Sequence, residues 1–151
     1  MLNRRKEVKL RNVIFPLWML CLFPVVWLIV LPGNFIIDSL VLLISLSLMK
    51  IPNKKQLYKR HIFKIFGFGL LADVIGSAYM LLLLWGLEIG ETGTDPYLTI
   101  PALLISAGLI FVFNYFVTFK REDKALRLKL SLIFAIITAP YTFLVPTSWL
   151  Y

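Results

Sequence analysis

Apolar residues fill this chain in long blocks, separated by short polar stretches. A helix needs about 20 such residues to cross a ~30 Å hydrocarbon layer. Five blocks approach that length: residues 13–31, 34–49, 65–87, 98–118 and 130–150. Only helices and closed barrels satisfy their backbone groups in lipid, and the two-residue alternation of a barrel strand is missing. The pattern therefore predicts an all-α polytopic membrane bundle of five transmembrane helices, one transmembrane domain over residues 1–151.

A tight turn is expected between the first two helices, because residues 31–34 read Leu-Pro-Gly-Asn. Proline presets φ and glycine tolerates the left-handed region, as turns require. The first block follows a basic start, as a signal peptide would. Its apolar run is too long for one and no small-residue cleavage pattern follows, so it reads as a retained helix.

Composition agrees with lipid as the main solvent. Of 151 residues, 60% are hydrophobic and 16% charged, an excess that a small globule cannot hide. The net charge of +8 would suggest nucleic acid in a soluble protein. Here all 16 Lys and Arg fall in residues 4–11, 50–64 and 120–129, beside the apolar blocks. That arrangement is topological, and no nucleic-acid partner is expected.

With five crossings, all three basic clusters lie on one side, which the positive-inside rule makes the cytoplasm. The N-terminus is then cytoplasmic and the C-terminus outside, in a bacterial-type plasma membrane. The opposite loop carries Glu88, Glu91 and Asp95 and no Lys or Arg. Trp27, Trp85, Tyr97, Trp149 and Tyr151 fall near the outer boundary, where amphipathic rings are favoured. Lys54, Lys55, Lys59 and Arg60 are candidates for binding anionic lipid headgroups, at about 1 kcal/mol each. Their segment, with Tyr58 and Ile62 four apart, is expected as a short amphipathic surface helix, and His61 within it as solvated.

Candidate chemistry comes from the polar residues inside the blocks. Asp73 lies deep in the third, nine residues from Lys64, or about 14 Å along a helix. It shares a face with Gly69, Ala72, Gly76 and Ser77; Gly69, Ala72 and Gly76 are candidates for a helix-packing seam, and Ser77 joins Asp73 as a candidate for the ion or proton path. The second block carries Asn34, Asp38 and Ser45 in a stripe; the fourth carries Asn114, and the fifth Thr138 and Thr142. These side chains are candidates for one polar interior. Counted from Asn34, Asp38 lies about 6 Å below the outer boundary, so the two acids are expected as separate stations, not as a pair. No Lys or Arg occurs in any block. An isolated carboxylate in lipid costs a few kcal/mol or more, so Asp73 needs a proton, water or a cation.

Enzyme chemistry finds no support. There is no P-loop, no HExxH and no GxSxG. One His and one Cys make no transition-metal cluster, and no catalytic residue, metal or cofactor is assigned. The reading is a proton- or cation-conducting or coupled transport protein, or a subunit of one, centred on Asp73. Partners are expected to be membrane lipids and a second copy or partner membrane subunit. The alternative is a non-transporting accessory or assembly subunit; a lipid-active enzyme ranks third.

Overall fold

The structure, a computed structural model, describes residues 24–87 and 95–144. Among these residues every regular element is helical. Helix α1 covers Pro24–Leu48, α2 Lys54–Leu81, α3 Pro96–Phe113 and α4 Lys124–Ile137. Both α2 and α3 run on into π-helical turns, Leu82–Gly86 and Asn114–Thr118, and a 3-10 turn at Tyr141–Leu144 follows α4. Four helices are long and apolar enough to cross a membrane, which makes the chain multi-pass. A fifth spanning helix is not among the described residues. The larger part of the expected first helix, Glu88, Glu91, Trp149, Tyr151 and the basic cluster at 4–11 lie outside them.

The turn expected at residues 31–34 is absent: α1 passes straight through, with Pro32 inside it. Proline there forfeits one backbone bond, to the Leu28 carbonyl. A turn in hydrocarbon would leave more backbone groups unpaired, and membrane helices tolerate a single loss. This continuity moves Asp38. It stands 11 residues from Trp27 and 10 from Leu48, the ends of the spanning segment, or about 15 Å from each. It stands midway along the spanning-length segment rather than near one of its ends.

At its inner end α1 stops in a left-handed cap. Lys50 has φ +51°, and the Ile51 N–H reaches back to the Leu46 carbonyl at 3.1 Å. Ile51 packs on the core that contains Leu46, as this cap requires. Pro52 then prevents any continuation.

The basic segment is not a separate surface helix. It forms the first turns of α2, which begins 11 residues before the expected position because Leu57, His61, Ile62 and Ile65 give it an inward face. The rod from Lys54 to Gly86 has 33 residues, about 50 Å, and overshoots the ~30 Å hydrocarbon. Lys55, Lys59 and Arg60 are exposed along its inner turns, while Lys54 Nζ donates to Ser47 Oγ at 3.3 Å. His61 is not solvated. It is 2% exposed, lies against the Phe119 ring, and its Nε2 is 2.8 Å from Glu122 Oε1. Arg60 reaches the same carboxylate at 3.7 Å.

Helix α4 also starts early, at Lys124, where Asp123 accepts the Ala125 N–H at 3.2 Å and caps it. It ends at Thr138 rather than near 150, because the residue before Pro140 is driven from the helical region. The helices pack in a ring, α1 on α2, α2 on α3, α3 on α4 and α4 on α1. Leu46, Ile62, Ile65, Phe119, Leu130 and Phe134 fill the half that carries the basic residues. A smaller cluster of Met80, Leu98, Ala102 and Phe143 closes the opposite half between α2 and α3.

Candidate functional site

The α2–α3 contact is close because α2 offers small residues there. Ala72 and Gly76 are buried. A methyl group on Gly76 would stand 2.1 Å from Ser106 Oγ and 2.9 Å from the Phe143 ring. Ser106 Oγ donates to the Ala72 carbonyl at 3.1 Å across the seam. Of the expected packing residues, Ala72 and Gly76 therefore join α2 to α3 within the chain. Gly69 does something else. It faces α1, and a methyl group on it would come 3.8 Å from Asp38 Oδ2.

On that side the bundle is hollow. One cavity, of about 420 Å³, has Asn34, Asp38, Gly69 and Asp73 on its α1 and α2 walls. The third wall is the end of α4 and the break after it, including Thr138, Pro140 and Thr142. A second cavity, of about 450 Å³, adjoins it through Val30, Asn34, Leu70 and Asp73, and extends to Pro24, Trp27, Val74 and Ser77. Among the described residues, neither cavity is lined by a Lys, Arg or His.

The two acids thus share one cavity. The separate-stations expectation fails with the turn on which it was counted. Asp38 is 6% exposed. Asp73 Oδ1 and Ser77 Oγ are buried with no hydrogen-bond partner among the described residues, although buried polar groups are nearly always paired. Thr138 is satisfied by its own helix, its Oγ1 donating to the Phe134 carbonyl at 2.8 Å.

The cavities gather Asn34, Asp38, Asp73, Ser77, Thr138 and Thr142 from the expected pathway. Ser45 and Asn114 line neither. Ser45 is buried on α1. Asn114 is wholly buried where the π-helical turn of α3 begins, with both amide atoms unpartnered, as are Thr118 Oγ1 and Ser131 Oγ. Ser106 and Thr99 were missed in the sequence. Both lie on the Asn114 stripe at helical spacing, residues 99, 102, 106, 110, 114 and 118, all buried. No group of three His, Cys, Asp or Glu suited to a metal ion occurs among the described residues.

Set beside protein-family models, curated proteins and solved structures, the chain gives no match in any of the three.

Proposed function

We propose that this chain conducts protons or small cations across the membrane, or couples their movement to transport, with Asp38 and Asp73 as its ionisable station. The observation that carries this reading is one cavity that Asp38 and Asp73 share, with no basic side chain among the described residues on its walls. Two like charges in a low-dielectric space repel, and each lacks water on the lipid side. A proton or a cation between them relieves both. The third wall points the same way. It is the C-terminal end of α4, the negative end of the helix dipole, and broken helices line cation sites in transporters. A dry helix contact at Asp73 would have favoured an accessory subunit.

Topology belongs to the same proposal. The clusters at 50–64 and 120–129 emerge at one end of the bundle and the Asp95 loop at the other. The basic end faces the cytoplasm of a bacterial-type plasma membrane, where Lys55, Lys59 and Arg60 meet anionic headgroups. The α2–α3 seam is used up inside the chain, so a second copy or partner subunit would dock on another face.

The test is flux in proteoliposomes under imposed proton, sodium and potassium gradients. The native protein is expected to carry at least one of these ions. Asp73→Asn and Asp38→Asn are each expected to fall to the level of empty vesicles. Undiminished flux in Asp73→Asn removes the site, and no flux in the native protein leaves the accessory role.

A further inference from the structure

The cavity at the outer half of α1 is a poor container for a bare inorganic ion. Its walls are Pro24, Trp27, Val30, Leu70 and Val74. A small hydrated cation gains nothing from such walls and loses its water against them. Besides the Trp27 indole, the polar side chains among the described lining residues are Asn34, Asp73 and Ser77. Two of these present buried atoms with no hydrogen-bond partner among the described residues, Asp73 Oδ1 and Ser77 Oγ, and Ser77 is 3% exposed. At about 450 Å³ the space falls in the range of small-molecule sites, which combine apolar walls with a few fixed polar groups.

We propose that this cavity binds an apolar organic amine as its ammonium ion, the hydrocarbon body against Val30, Leu70 and Val74 and the N–H groups donating to Asp73 and Ser77. The assignment rests on reading Asp73 as an ionisable group of the transport path. It adds the class of solute that this path takes or exchanges. Each alternative leaves the site worse off. A neutral molecule of the same shape offers Asp73 no counter-charge. An organic anion sets a second negative charge beside the carboxyl groups of Asp73 and Asp38. An ammonium head supplies both missing donors and the charge, and its body replaces water on the apolar walls. Asp73 also lines the neighbouring cavity with Asp38. An amine held there and a cation or proton held by the acids would therefore compete for one carboxyl group.

The experiment uses three probes with one apolar body and different heads: phenylbutylamine, phenylbutanol and phenylbutyrate. Binding to the purified full chain in detergent is followed by titration calorimetry, with empty micelles subtracted. The amine is expected to bind at least about tenfold more tightly than the alcohol, a difference of roughly 1.4 kcal/mol, and the carboxylate not at all. Asp73→Asn should erase the preference for the amine. Val74→Trp should fill the cavity and weaken amine and alcohol alike, with unfolding in detergent showing that the fold is kept. Equal affinity for amine and alcohol in the native protein would overturn the site, as would a preference that survives Asp73→Asn. Ion flux measured on the same preparation separates the two claims. Amine binding without flux sinks the conduit and keeps the site; flux without amine binding does the reverse.

Discussion

Helix α2 has two faces that look alike in sequence and behave oppositely in the bundle. Toward α3, Ala72 and Gly76 close a seam in which a single added methyl group has no room. Toward α1 and α4, Gly69 and Asp73 border a cavity. Small residues let helices approach, but approach needs a partner surface that also yields. α3 supplies one with Ala102 and Ser106, both wholly buried. α1 presents Asp38 opposite Gly69, and α4 ends at Ile137, ahead of Pro140, before it can fill the gap. One face closes on its neighbour, and the other sets Asp38 and Asp73 on a cavity with no Lys, Arg or His among its described lining residues.

The sharpest way to break this comparison is Gly76→Ala. The new methyl group would overlap Ser106 Oγ, and the Phe143 ring blocks the other direction. Overpacking of this kind costs about 1–3 kcal/mol, here toward the upper end. Unfolding in detergent with increasing denaturant measures it. If the loss is negligible, the seam is not closed. Ser106→Ala in the same background tests the cause. It removes the oxygen nearest to the clash but gives up the bond to the Ala72 carbonyl, so the double variant should recover part of the loss. Independent sites would add without recovery.

Next in size is a contrast between paired and unpaired polar groups on α2. Glu122→Ala leaves His61 Nε2 buried with nothing to bond, an expected loss of about 2 kcal/mol. Asp73→Asn removes a group that has no such bond to lose at Oδ1. It should change stability by less than about 1 kcal/mol or raise it, while abolishing flux. A large stability loss in Asp73→Asn would show the acid to be structural.

What could be read from the sequence follows the same division. The apolar blocks announced helices of spanning length, and four are found among the described residues, with shifted ends and one helix running from the first block through the second; hydrophobic length is a property of one segment. The reading failed where the answer depended on a second segment or on the solvent. Pro32 and Gly33 signal a turn in water, yet in lipid the backbone keeps its bonds and α1 runs on. That single misreading put Asp38 at the wrong depth and separated it from Asp73. Glu122 lies 61 positions from His61, so their bond was invisible, and with it the inward face that starts α2 at Lys54. The polar stripes were legible as stripes. Which of them met was not: Asn34, Asp38, Thr138 and Thr142 converge on Asp73, whereas Asn114 looks into a packed interior.

The smallest expected effect is the most discriminating, because it concerns the other glycine of the same stripe. Gly69→Ala places its methyl group 3.8 Å from Asp38 Oδ2, an ordinary contact beside open space. Alanine in a helix interior is favoured over glycine by up to about 1 kcal/mol. Stability should therefore stay level or rise slightly, against the loss at Gly76 only two helical turns away. The methyl group nevertheless lies on the carboxyl group of Asp38, within the cavity it shares with Asp73. A modest change in ion flux with no loss of stability would place Gly69 at the edge of the path. If Gly69→Ala destabilises the protein as much as Gly76→Ala, then α2 packs tightly on both sides, and no hollow remains for the acids to face.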